Sequence, residues 1–229
     1  IVACALIQLT ASRKDDEGEK SLLIALKESV LQVLLAVISA GFFSILTDYG
    51  DKKKVWAGHL LPGPHQGILY LCCLPAILLC SLFQYQPPYG LPSNLGIIPL
   101  TVGVMYGTRR TSFVLAASAL TGVLIIAQSI EMSPMYVGTA FILFPFMLLH
   151  VKFFQRGTLL DKKLVIFTYV VADMLLKALL PLLWGKQNIS VYIPDLLTTF
   201  WNVAVGVLAS FAVVSLMHNS FEKLTLRRD

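Results

Sequence analysis

The chain has 229 residues, of which 56% are hydrophobic and only 14% are charged, with a net charge of +5. Soluble domains usually carry about 25% charged residues, so this composition predicts a membrane protein and excludes an ordinary soluble domain. The positive charge does not indicate nucleic-acid binding, because no stretch interleaves basic and aromatic residues. We therefore expect the lipid bilayer as a partner, and no nucleic acid.

Residues 1–28 are predicted to be an N-terminal lead-in. The first ten residues are apolar but too few to span a bilayer, which takes about 20 residues, and Arg13 to Lys20 is a mixed-charge stretch. We expect this region to be a linker or the remnant of another span. The chain itself is expected to be a fragment of a longer protein.

Seven apolar runs follow, and they predict an all-α fold: a polytopic transmembrane helix bundle with about seven spans and short loops. The third run is short and is expected to start earlier or to tilt. Pro75, Pro99 and Pro145 lie inside spans and predict kinks. Gly103 with Gly107, and Ser118 with Gly122, predict close helix packing. The predicted spans are Val30–Leu46, Ile68–Phe83, Leu95–Gly107, Ser112–Ile130, Tyr136–Val151, Leu164–Trp184 and Leu197–Met217.

Basic residues predict the orientation of the bundle. The three loops predicted on the outer side contain a single basic residue, Lys186. Under the positive-inside rule, this bias places the C-terminus in the cytoplasm and the N-terminal side of span one outside. Twelve basic residues lie on the predicted inner side: Lys52, Lys53, Lys54, Arg109, Arg110, Lys152, Arg156, Lys162, Lys163, Lys223, Arg227 and Arg228.

Two opposite charges lie inside span six. Asp173 and Lys177 are four residues apart, so they share one helix face. A lone charge at the bilayer centre costs about 3 kcal/mol on insertion scales, so such residues face the bundle interior and pair. The pair is either structural, each charge neutralising the other, or the core of a ligand-sensing or ion-sensing site. Asn202 in span seven is the residue expected to complete a polar pocket with them.

No catalytic motif is present in the sequence. It lacks a phosphate-binding Gly-rich loop, GxSxG and HExxH. The cysteines, Cys4, Cys72, Cys73 and Cys80, lack the paired spacing of a zinc site. We therefore predict no catalytic residue, no metal site and no cofactor in this chain.

The end of span seven has heptad spacing. Val214, Met217, Phe221 and Leu224 follow one another at steps of three, four and three residues, as in a coiled coil. This pattern predicts that span seven leaves the membrane as a continuing helix that pairs with a second copy. Accordingly, residues 29–217 are predicted to be the transmembrane bundle and residues 218–229 the start of a cytoplasmic helix; the resemblance given next implies that they are a sensor bundle and a signalling helix.

From about Ser29 to Asp229, the chain resembles the membrane sensor region of KinB-like sporulation sensor histidine kinases, related to the five-transmembrane receptor module of LytS/YhcK type. Three stretches carry the resemblance: LGIIPLTVGVMYGTRRTSFVLAAS from Leu95, SPMYVGTAFILFPFMLL from Ser133 and HNSFEKLTLRRD from His218. The resemblance implies a bacterial plasma-membrane protein, a homodimer, and a cytoplasmic kinase domain that uses ATP and acts on a response regulator. The catalytic residues of such a kinase are absent from this chain.

Three functions stay open at this point. The preferred hypothesis is signal input to a two-component histidine kinase or, less favoured, to a diguanylate cyclase. The alternative is transport, either by a small permease or by the substrate-binding subunit of a vitamin transporter, because intramembrane charges and broken helices are also transporter features. A third is an assembly or structural role.

Overall fold

Helices occupy all seven predicted positions in the computed structural model, which describes residues 27–49, 63–83, 94–127, 133–183 and 196–226. The predicted all-α bundle is confirmed, and the described residues include no strand. The first 26 residues lie outside these ranges, and so do residues 50–62, 84–93, 128–132 and 184–195 between consecutive helices. The helices are α1 Lys27–Tyr49, α2 Gly63–Leu82, α3 Ile97–Tyr106, α4 Arg109–Ala127, α5 Ser133–Arg156, α6 Leu159–Leu183 and α7 Leu196–Leu226.

Five of these helices, α1, α2, α4, α5 and α7, are long and apolar enough to cross a membrane. The chain thus has the features of a multi-pass membrane protein. Helix α6 has 25 residues but carries five charged side chains, which sets it apart from the other long helices. Helix α3 has only ten residues, so it is about 15 Å long, half of a bilayer core of about 30 Å.

The short helix α3 is the centre of the bundle. It contacts α2, α4, α5, α6 and α7, and nine of its ten residues are buried. Helix α1 contacts the beginning of α3 through a hydrogen bond from the backbone N–H of Leu95 to the side chain of Gln32. The prediction that span three starts earlier is therefore wrong, because Leu95 and Gly96 form a buried turn and the helix begins at Ile97. The predicted tilt stays a prediction. A non-helical backbone inside a membrane bundle is tolerated when protein surrounds it and satisfies its polar groups.

The prolines divide into two kinds. Pro75 and Pro145 lie inside α2 and α5, as predicted. Pro99 is the third residue of α3, so its missing N–H falls in the first turn, where no intrahelical acceptor is available. The predicted kink at Pro99 is therefore wrong, and the proline instead suits the start of a helix.

The α3–α4 and α5–α6 hairpins have the same two-residue connection, Gly-Thr. Thr108 and Thr158 precede α4 and α6, and each side-chain oxygen accepts a hydrogen bond from the backbone N–H three residues later. This is the geometry of an N-cap. Hydrogen bonds from the hydroxyl and the backbone N–H of Thr158 to Asp161 hold the pKa of that exposed carboxyl below its usual range. A hydrogen bond from Gln155 to the carbonyl of Met105 joins the two hairpins at one end of the bundle, here called the basic end because Arg109, Arg110, Lys152, Arg156, Lys162 and Lys163 lie there.

Gly107 allows the α3–α4 hairpin to close. A Cβ at this position would lie 2.5 Å from the carbonyl oxygen of Gly103 and 3.0 Å from Oγ of Ser112. Because the nearest atom belongs to the backbone, Gly107→Ala should lower the free energy of unfolding by about 1–3 kcal/mol. Gly41→Ala in α1 is the matched control, since nothing lies within 4 Å of the added carbon, and this change should be neutral or stabilising. Denaturant unfolding of both variants in detergent checks this, and equal midpoints for Gly107→Ala and Gly41→Ala would contradict the packing argument.

Candidate functional site

Asp173 and Lys177 form a buried ion pair on α6. The side chains are 2.5 Å apart, from Nζ to Oδ2, and the two residues are only 3% and 6% exposed. The spacing of four residues places them one turn apart on the inner face of the helix. The structure thus contains the pair that the sequence predicts.

The buried face of α6 is unusually polar. Lys162, Tyr169, Asp173 and Lys177 all lie on it and are all buried. Each has a partner: the Tyr169 hydroxyl lies 2.9 Å from Nδ1 of His150, and Lys162 lies 3.2 Å from His218. A charged helix is stable inside this bundle because these groups are paired, which lowers the cost of removing them from water.

A cavity of about 100 Å³ lies beside the ion pair. Helices α2, α3, α4, α5 and α6 all contribute to its wall, and most of the lining is apolar. Its polar lining residues come from four different parts of the chain, so the fold itself brings them together. They are Ser81, Asn94, Thr139, Asp173 and Lys177.

The beginning of α3 forms one wall of this cavity, through Gly96 and Ile97. The side chain of Asn94 accepts a hydrogen bond from the N–H of Gly96 and donates one to Ser81. The N-terminus of a helix carries a partial positive charge of about half a unit. The cavity therefore combines a helix N-terminus, two hydrogen-bonded polar side chains and a neutralised ion pair.

Gln32 of α1 holds this arrangement in place. The residue is fully buried. Its side chain donates to the carbonyl of Phe83, just after α2, at 2.8 Å, and accepts from the N–H of Leu95, just before α3, at 2.7 Å. One amide thus satisfies a backbone group on each side of the segment that connects α2 to α3.

The predicted third member of the site, Asn202, lies in α7, but its side chain is outside the described part of the structure. Asn94 lines the cavity beside the ion pair instead. In the sequence, Asn94 closes the uncharged stretch from Gln84, which is predicted to be an outer loop. In the structure Asn94 is non-helical, as in a connection, but it is only 7% exposed and lies directly before the buried turn. A polar residue directly before Leu-Gly and a Pro-containing apolar run was the available signal.

A second cluster lies at the basic end and joins α7 to the rest of the bundle. The ring of Phe221 stacks on Tyr106 and on Phe43, with centroids 4.5 and 5.2 Å apart. Beside it, Lys162 approaches His218, which lies 3.9 Å from the carboxylate of Glu222. Helices α1, α3, α6 and α7 therefore meet near the C-terminal end of α7.

This cluster changes the interpretation of the predicted heptad seam. Val214 and Met217 are 0% and 1% exposed, and Phe221 packs on α1 and α3. The side chain of Leu224 lies outside the described part of the structure. Val214 and Met217 are covered by the chain's own helices and do not offer a surface to a second copy. Pairing through Phe221, which is half-buried, and Leu224 stays a prediction. The homodimer itself stays a prediction.

The described residues include no group of three or more His, Cys, Asp or Glu side chains that could hold a metal ion. Cys72, Cys73 and Cys80 are free thiols on α2. Comparison of the chain with protein families, with curated proteins and with solved structures finds no match in any of the three. The fold and the site together define a polytopic helical membrane bundle with an internal cavity that contains an ion pair.

Proposed function

We propose that this chain is the signal-input region of a sensor histidine kinase in the bacterial plasma membrane. In this proposal, the cavity beside Asp173 and Lys177 receives the stimulus, and α7 carries the signal to a cytoplasmic kinase domain. That domain would bind ATP and phosphorylate a response regulator, and the C-terminus of this chain would lie in the cytoplasm.

The observation that carries the proposal is the path of α7. The helix has 31 residues and is therefore about 46 Å long, which exceeds a bilayer core of about 30 Å. A Cβ at Gly206 would lie 3.1 Å from Leu95 and 3.3 Å from Val170, so α7 packs closely against the start of α3 and against α6. Those two segments are also parts of the cavity wall.

The other end of α7 packs against the same two helices. Phe221 stacks on Tyr106, the last residue of α3, and His218 contacts Lys162 of α6. A shift of α3 or α6 at the cavity would therefore act on α7 at two levels separated by four turns. This two-level contact supports transmission along α7 as a rigid helix.

Insertions after Leu226 test the proposal in the intact protein encoded by the gene. The site lies beyond Phe221, so the insertions leave the packing of α7 in the bundle unchanged. Each added residue rotates the downstream helix by about 100°. One residue should change kinase output at least several-fold, and seven residues, which preserve the coiled-coil register, should largely restore it. The measurement is reporter output across insertions of one to seven residues, and a flat response would remove the signalling-helix proposal.

Transport is the second candidate, and the form of α3 favours it. A half-length helix that begins inside the bundle, at a polar cavity, is typical of transporters, where half-helix N-termini face the substrate. A transporter has no reason to depend on the helical register beyond α7. The insertion series therefore also separates these two functions.

A further inference from the structure

The cavity beside the ion pair has a side that faces the bilayer. Its lining residues on α4, Ala116, Leu120 and Val123, are half-buried rather than buried. On α5, Ala140 and Phe144 are also half-buried. Because α4 and α5 are both apolar enough to span a membrane, the gap between them leads into the hydrocarbon region.

Two small side chains form part of the cavity wall on α4 and α5. Ala116 and Ala140 both line the cavity, one on each of the two helices. Larger apolar side chains, among them Leu120 and Phe144, line the same wall, and the outer surface beside it carries Phe113 and Phe141, which are 64% and 72% exposed. Phe113 contacts the cavity-lining ring of Phe144 across the two helices, with centroids 5.9 Å apart. A hydrocarbon chain that enters between α4 and α5 therefore passes beside this pair and along the methyl groups of Ala116 and Ala140.

The polar end of the cavity selects against net charge. Asp173 and Lys177 together carry no net charge, and both are more than nine-tenths buried. A ligand with a full net charge would leave most of that charge uncompensated in a medium of low dielectric constant, because the N-terminus of α3 supplies only about half a unit of positive charge, and the cost is several kcal/mol. Neutral ligands escape this cost.

The ion pair retains capacity to form hydrogen bonds with a ligand. An ammonium group has three N–H donors and a carboxylate has about four acceptor positions. Within the described part of the chain, the hydrogen bond between Lys177 Nζ and Asp173 Oδ2 is the one that either side chain makes. A hydroxyl group can accept from Lys177 and donate to Asp173 at the same time, and so can a primary amide.

We infer that the cavity binds an uncharged amphiphile that enters from the bilayer between α4 and α5. Its hydroxyl or amide head lies at Asp173 and Lys177, and its hydrocarbon tail extends along Ala116 and Ala140. This inference rests on the proposed function in that it names the chemical class of the stimulus.

Photolabelling of the full-length protein in lipid nanodiscs tests the inference. The probe is a 1-octanol that carries a diazirine on its chain, and mass spectrometry locates the labelled residues. Labels are expected on the cavity lining of α4 and α5. Unlabelled 1-octanol should compete, whereas octanoate and octylammonium of the same chain length should compete at least about tenfold more weakly.

Two adjacent alanines supply a matched pair of variants. Ala116→Leu adds three carbons inside the cavity and should lower labelling at least about tenfold. Ala117→Leu adds the same carbons on the exposed side of α4 and should leave labelling unchanged. Ala140→Leu blocks the opposite side and should act like Ala116→Leu, which keeps the test decisive if one variant folds poorly.

Equal labelling of Ala116→Leu and Ala117→Leu overturns the inference, and so does equal competition by the charged analogues. Neither result depends on kinase output. If labelling fails but the insertion series gives a periodic response, the sensor function stands and the ligand inference is overturned. If labelling succeeds but the insertion response is flat, the same ligand class belongs to a transporter.

Discussion

Removing either member of the intramembrane ion pair alone is expected to destabilise the protein strongly. Asp173→Ala leaves the ammonium of Lys177 buried and unpaired, and Lys177→Ala does the same to the carboxylate, because both residues are almost fully buried. Breaking such a pair typically costs about 3–5 kcal/mol. Replacing both residues with apolar ones removes both charges, so Asp173→Leu combined with Lys177→Met should recover most of the loss.

The measurement is unfolding of the purified protein in detergent, with folded yield as a second readout. Leu175→Ala is a suitable control on the same helix, since Leu175 is 56% exposed and faces outward, so its effect should be small. Single variants that unfold like the wild type would show that the pair makes no net contribution. Kinase output of the double variant then separates the two interpretations of the pair, because a folded protein without response assigns it to sensing.

Gln32→Met is also expected to destabilise the protein. The change leaves the N–H of Leu95 and the carbonyl of Phe83 without the partner they have in the structure. The bond to Leu95 is buried and the bond to Phe83 is part-buried. A buried group left unsatisfied costs about 1–3 kcal/mol, so the free energy of unfolding should fall by about 1–3 kcal/mol.

Gln66 provides a control with the same chemistry. Its side chain donates to the carbonyl of Tyr106 and accepts from the N–H of Thr108, so it braces the other end of α3 as Gln32 braces the beginning. The bond to Thr108 is exposed, and water can replace it. Gln66→Met should therefore cost less than about 1 kcal/mol. Similar unfolding curves for Gln32→Met and Gln66→Met would show that burial of the Gln32 amide does not determine the loss of stability.

Hydropathy placed all seven helices, because an apolar run of sufficient length is a local property of the chain. The ion pair was also predictable, since a spacing of four residues brings Asp173 and Lys177 together within α6 whatever surrounds it. The membrane class, the helix positions and this pair are what the sequence by itself determined.

The central position of α3 came only from the tertiary structure. Its ten residues are apolar like those of the spans, and hydropathy treats an apolar residue in the same way whether it faces lipid or protein. The inward direction of Val214 and Met217 could not be predicted for the same reason, since a heptad pattern indicates a buried stripe on a helix but not which helices or chains bury it. Gln32 was missed because its two partners lie 51 and 63 residues away along the chain. Contacts at that distance depend on how the helices pack, and the packing decided where the cavity lies.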